Sequence, residues 1–268
     1  MAPLFTGSKI GFGRVDLPSI TSSGQYSGAS APILNTSDSL GQVVSSGVRN
    51  DSNASYLVLA VPMNGTNGGS TFTDQVPTGR TSSTKTFTNT SVTTSTTQSK
   101  FYGSSGSFNG SAYLQLASSS DFYFNTAFTV ECWCYRVSTA GSNPIFFVGN
   151  WNNNQGIFLG YSSTGLPFIS VNAGGTGSID GNTSLSLNSW NHIAFVSTGS
   201  GGTNSIYLNG SSVGSTSQGN PTNNTSNVVI GAYVDTNYQS APRSPMTGYL
   251  QDLRVYKGVA KYTSTFTP

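Results

Sequence analysis

The last third of the chain constrains the fold most. Four phrases follow one another there with polar turns between them: Trp190 to Val196 (WNHIAFV), Ser205 to Gly210 (SIYLNG), Asn227 to Tyr233 (NVVIGAY) and Gly248 to Tyr256 (GYLQDLRVY). Each alternates apolar and polar residues with period two, the pattern of a strand with one face on a core. Asn209-Gly210 reads as a hairpin turn. IFFVGNW, GIFLGYSS and LPFISVN continue the series upstream at intervals of roughly ten residues, which suits a β-sandwich. No stretch carries a convincing helical period.

The 268 residues allow one large sandwich and a small appendage, or two small domains. Only 7% are charged, against roughly 25% in ordinary globular chains. Aromatics at 12% argue against a disordered chain. Such a sequence makes a neutral surface rich in hydroxyls and amides. The net charge is +2 and the eleven basic residues are scattered, Lys257 and Lys261 coming closest to a cluster, so no nucleic-acid footprint is expected. No apolar run reaches the roughly 18 residues of a membrane span. The opening MAPLFTGSKIGFG lacks the basic region and apolar core of a secretory signal, and the expectation is synthesis in a host cytoplasm.

Residues 1–54 read as an extended docking arm, with a flexible tail as the rival reading. Their apolar residues are too sparse to bury a core, and Phe5, Ile10 and Phe12 are the expected anchors on a partner. Residues 55–268 read as the sandwich. It opens with Tyr56 to Asp74 (YLVLAVPMNGTNGGSTFTD), taken as an apolar strand, an Asn-Gly turn and a Thr-rich strand. Cys132 and Cys134, two apart in a strand, point to one face; a disulfide between them would be strained, so they read as buried thiols.

Glycoside hydrolysis usually needs two carboxylates flanking the bond. The chain has a single glutamate, Glu131, with Trp133 and Tyr135 at +2 and +4, and no acidic pair stands at i, i+2. The single histidine, His192, has no nucleophile elbow to serve and reads as a strand residue. In TVECWCYR, Val130, Cys132 and Cys134 share the core face, while Thr129, Glu131, Trp133 and Tyr135 share the other. Glu131 reads as a structural residue bonded to a neighbouring strand, with ligand contact as the rival reading. The loops Gly149 to Gly156 and Ala232 to Ser244 combine aromatics and amides, and Trp151, Asn153, Asp235, Asn237 and Tyr238 are candidate glycan contacts. The competing reading is that such Asn-rich loops make turns.

The phrases YLVLAVPMNGTNGGSTFTD, SKFYGSSGSFNGSAYLQL, FTVECWCYR and the four strand phrases of the last third, in this order over residues 56–262, resemble the laminin-G-like branch of the concanavalin A-like lectin/glucanase superfamily. The resemblance implies an all-β, two-sheet antiparallel jelly-roll sandwich. Glucanases of that superfamily carry Glu-x-Asp-x-Glu on one strand; its absence implies no catalytic residues and no enzyme. Many related domains carry Ca²⁺, which takes six to eight oxygen ligands. Related last strands often read Gly-x-Ile-Asp-Asp-Leu-Arg, whereas here Gln251 precedes Asp252. Asp74 and Asp252 remain as candidate ligands of a structural Ca²⁺, and a pair between Asp252 and Arg254 or Lys257 is the rival reading. No other cofactor is implied. The ending GVAKYTSTFTP resembles endings in tailed-phage structural proteins. The expected function is therefore a non-enzymatic virion structural protein, a head decoration or tail appendage anchored through its arm. Its partners would be capsid or tail proteins and copies of itself. The alternative is a carbohydrate-binding adhesion module that recognises host surface glycan.

Overall fold

The computed structural model describes residues 51–76, 82, 84–137, 139, 141–150, 155–172, 178–217, 226–234 and 243–268. Phe5, Ile10 and Phe12 of the expected arm lie outside them. The described residues form fifteen strands: β1 (Leu57–Val61), β2 (Phe87–Thr90), β3 (Thr93–Ser95), β4 (Ser105–Asn109), β5 (Tyr113–Leu116), β6 (Phe128–Arg136), β7 (Asn143–Asn150), β8 (Gln155–Tyr161), β9 (Pro167–Val171), β10 (Ile179–Asp180), β11 (Trp190–Ser197), β12 (Thr203–Leu208), β13 (Ser211–Ser217), β14 (Val228–Ile230) and β15 (Thr247–Lys257). Two 3₁₀ turns, Ala54–Tyr56 and Ser120–Phe122, are the helical elements among them.

The strands build two antiparallel sheets, as expected. The front sheet has the order β13-β12-β11-β6-β15-β4-β3, and β1 joins the far half of β15. The back sheet has the order β10-β9-β8-β7-β14-β5-β2. Non-consecutive neighbours mark the crossovers of a jelly roll. The period-two pattern explains why the sheets face each other. Val130, Cys132 and Cys134 of β6, Ile193 and Phe195 of β11, and Leu250, Leu253 and Val255 of β15 point inward. They meet Phe146 and Val148 of β7, Ile157 and Leu159 of β8, and Val228 and Ile230 of β14 in one apolar cluster. Both thiols are free and buried there. Burial pushes Cys134 up to about 12 and Cys132 well above its ordinary value, so both stay protonated as small hydrophobes.

Two local features differ from the sequence reading. Residues Thr71–Asp74 form no strand. Instead the chain loops back, and Asp74 binds backbone: its carboxylate accepts from Ala60 N at 3.0 Å, Val76 N at 3.2 Å and Lys85 N at 2.9 Å. A carboxylate that satisfies three backbone donors, one of them in β1, removes the need for a ladder there. The last strand also contains a bulge. Its register shifts between Gln251 and Arg254, where Asp252 has φ of 56°. The bulge lets the two halves of β15 pair with different strands, β4 and β1. The Asn209-Gly210 hairpin is present, with φ of 50° and 84° at its two positions.

Candidate functional site

The outer face of the front sheet carries the chain's single glutamate, its single histidine and two of its three tryptophans. Cross-strand register sorts them into rows. Glu131 of β6 lies opposite Ala194 of β11 and Arg254 of β15; Trp133 lies opposite His192 and Gln251; Tyr135 lies opposite Trp190 and Tyr249.

The Glu131 row is sealed by the chain's own C-terminus. After β15, residues 258–268 fold back across β6, β11 and β12. Thr129 Oγ1 donates to Val259 O and accepts from Lys261 N. Glu131, 3% exposed, collects donors from both sheet and tail. Lys261 Nζ lies 2.7 Å and Tyr256 Oη 3.1 Å from Oε1; Tyr262 Oη lies 2.7 Å and His192 Nε2 3.4 Å from Oε2. Arg254 adds charge at 3.9 Å. Burial alone would raise this carboxyl. The Lys261 ammonium, the His192 hydrogen bond and the Arg254 guanidinium outweigh it and hold the group well below the usual carboxylate range. A carboxylate so engaged has no proton to donate and no open side toward a substrate.

Glu131 is thus structural, as read from the sequence, but its face is not the open one that alternation alone suggests. Tyr262 and Phe266 stack with centroids 3.5 Å apart, and Phe266 packs on Tyr207 and on His192. His192 lies in β11, as read from the sequence, and its buried Nδ1 has no hydrogen-bond partner.

The next row is covered by a second segment. Lys100 N and Phe101 N donate to Gln251 Oε1 at 2.7 and 3.0 Å, and Gln251 Nε2 donates to Ser104 O. This brings Phe101 edge-on to Trp133 at 5.5 Å and Lys100 Nζ over the same ring at 4.1 Å. Gln251, which replaces the expected aspartate, is therefore an amide clamp: it accepts two N–H groups and donates one, which a carboxylate cannot do.

The third row is not covered in this way. Trp190, Tyr135 and Tyr249 are all half-buried, on three adjacent strands. Their rings meet edge to face, with Trp190 to Tyr135 at 5.5 Å and Tyr135 to Tyr249 at 5.8 Å. Gly248 allows β15 to approach here, since a Cβ at that position would press on the Tyr135 carbonyl. Ser107 of β4 and Thr93 of β3 continue the same row toward the sheet edge.

The candidate Ca²⁺ ligands do not assemble a cation site. Asp74 spends its oxygens on three backbone donors; burial pushes its carboxyl up and those hydrogen bonds oppose the push. Asp252 is gripped by Arg254, with Nε at 3.0 Å from Oδ1 and Nη2 at 2.6 Å from Oδ2. Among the described residues no group of three or more His, Cys, Asp or Glu side chains could hold a metal. The two carboxylates thus do not fit the ligand set that Ca²⁺ requires. The glycan-contact candidates Trp151, Asn153, Asp235, Asn237 and Tyr238 lie outside the described residues. Sequence reasoning singled out those loops and left Tyr249 and Trp190 aside, because only strand order places their rings beside Tyr135.

Residues 108–261 match the laminin G family described as the concanavalin A-like lectin/glucanases superfamily. The chain belongs to that superfamily. No curated protein sequence matches this superfamily member at significance. Among solved structures it is similar to the binding domain of botulinum neurotoxin serotype D/C (TM-score 0.53, 14% identity, covering 78% of this chain and 50% of that one). It is also similar to a botulinum neurotoxin type C structure (TM-score 0.55, 12% identity, 78% and 50%), a toxin whose cell entry depends on interaction with two ganglioside molecules. A third is domain 4 of AbnA, an extracellular arabinanase from Geobacillus stearothermophilus, in complex with arabinotriose (TM-score 0.52, 17% identity, 75% and 92%). The chain spans about half the length of the toxin domains and nearly all of the arabinanase domain. At these identities the likeness is one of fold.

Proposed function

We propose that the sandwich is a non-enzymatic carbohydrate-binding module. The observation that carries this reading is the state of Glu131. The chain's sole glutamate is closed under the tail and held ionised by Lys261, His192 and Arg254, so among the described residues this fold, shared by lectins and glucanases, keeps no acid/base pair around it. Similarity in fold to a sugar-bound arabinanase domain and to a toxin that interacts with gangliosides supports binding as the remaining role. A low-charge surface rich in hydroxyls and amides suits contact with sugars. The virion role expected from the chain's ending and its N-terminal arm has no support among these relatives, and glycan recognition takes its place as the main reading.

The test is a glycan array followed by isothermal titration calorimetry on the full chain, with a reducing-end assay on the same polysaccharides. The expected result is binding without release of reducing ends. Hydrolysis that disappears in Glu131→Gln would overturn the non-enzymatic part, and no binding at millimolar sugar would overturn the rest.

A further inference from the structure

We propose that the row Trp190–Tyr135–Tyr249 is the sugar-binding surface, and that its ligand is a neutral oligosaccharide or polysaccharide chain lying across the strands of the front sheet. The inference rests on the carbohydrate-binding reading and gives it an address. Three observations converge on this row. First, the outer face of this sheet is roofed twice by the chain's own segments, the tail over Glu131 and the 100–104 segment over Trp133, and the roof ends one row short of these rings. Three half-buried aromatics in neighbouring strands present an apolar strip about 10 Å long, given an inter-strand spacing near 4.8 Å.

Second, the row is supplied with unused hydrogen-bonding groups. The hydroxyls of Tyr135 and Tyr249 have no partner among the described residues, and neither is buried. The Trp190 indole N–H is buried without an acceptor, which a protein does not leave unmet without cost. A sugar hydroxyl, or a water held by one, would supply that acceptor after a small turn of the indole. Ser107 and Thr93 extend the row with two more hydroxyls. At its other end, Leu187 is one of two exposed large apolar side chains among the described residues; the neighbouring Asn188 N is bonded to Arg136 O, which ties this turn to the end of β6 beside Tyr135. Aromatic faces flanked by hydroxyls match the two faces of a pyranose or furanose, one of C–H groups and one of O–H groups.

Third, charge selects the class of sugar. The row itself contains no ionic side chain. The cations of this face lie in the rows below and are engaged: Lys100 over Trp133, and Lys261 and Arg254 on Glu131 and Asp252. Nothing in the row would select a sialylated or uronic-acid chain, so a neutral chain is the fitting occupant.

The test uses the full chain in affinity electrophoresis through gels containing soluble arabinan, xylan, mixed-linkage β-glucan or galactomannan, with polygalacturonate as the acidic control. Wild type is expected to be retarded by at least one neutral polymer and not by polygalacturonate. Tyr135→Ala, Tyr249→Ala and Trp190→Ala should each weaken that binding by about tenfold or more, the size of an aromatic hot spot. Thermal melts report whether each variant is folded. Tyr249→Phe keeps the ring and removes the hydroxyl, so it should remain folded and lose only a few-fold in affinity. Titration with the bound sugar should change wild-type tryptophan fluorescence, and Trp190→Phe should abolish that change. If wild type binds a neutral polymer and the folded row variants bind it equally well, this address is wrong and carbohydrate binding stands. Loss in Trp151→Ala with the row variants unaffected would move the site to the loops. Retardation by polygalacturonate alone overturns the neutral-chain assignment, and no retardation by any polymer overturns both readings.

Discussion

At the scale of single residues, Glu131 shows how a group that reads as chemistry becomes architecture. It is buried, ionised and shared by Lys261, Tyr262, Tyr256 and His192, so its removal leaves several donors and two cations without their partner. Glu131→Ala should destabilise the protein by about 3–5 kcal/mol, measured by denaturant unfolding, as breaking a buried ion pair does. The pH dependence follows from the direction of its shift. A carboxyl held below its unfolded value of 4.5 contributes stability that is complete above 4.5 and is lost as pH falls toward its folded pKa. The stability gap between wild type and Glu131→Gln should therefore be flat from pH 7 to 5 and shrink in more acid solution. Cys132 and Cys134 provide a second check at this scale. Burial keeps both thiols protonated, so neither should react with a thiol reagent in the native protein, and both should react on unfolding.

At the scale of elements, the C-terminal tail is the piece that no period-two pattern announces. GVAKYTSTFTP has no strand alternation, yet it buries a polar sheet face by means of one ammonium and two stacked rings. Removal of residues 259–268 should expose Ala194, Val196 and Tyr207, lower stability by roughly 3 kcal/mol or more through the lost ion pair and apolar burial, and raise binding of a hydrophobic dye. The β12–β13 turn is fitted to the same tail. Gly210 N–C geometry has φ of 84°, its carbonyl accepts from Phe266 N at 3.0 Å, and a Cβ there would run into the Phe266 carbonyl. Gly210→Ala should cost about 1–3 kcal/mol by backbone strain, and most of the part caused by the tail should vanish in the truncated chain. Most strand positions could be read from alternation, and the Asn209-Gly210 turn from its two residues. The Thr71–Asp74 segment could not, because Asp74 meets the backbone of Ala60 and Lys85, positions distant along the chain.

At the scale of the whole sandwich, the described residues show one outer face covered over two of its rows by the chain's own segments. Lys261→Ala should lower stability while leaving affinity for a neutral polysaccharide within a few-fold of wild type, since Lys261 acts two rows from Tyr135; melting curves and affinity gels together would check it. The sequence by itself determined an all-β chain: period-two alternation with turn residues at ten-residue spacing fits a sandwich or a barrel, and the two-sheet jelly roll was implied by the resemblance of its phrases to the laminin-G-like branch. It also determined the absence of a Glu-x-Asp-x-Glu strand, since composition alone rules that out. Which side chains share a row, which face the tail covers and which rings stay half-open were decided by tertiary structure. Those properties depend on strand order and on the path of residues that carry no periodic signal. Tyr135 and Tyr249 are 114 positions apart in sequence, and only the pairing of β6 with β15 makes them neighbours.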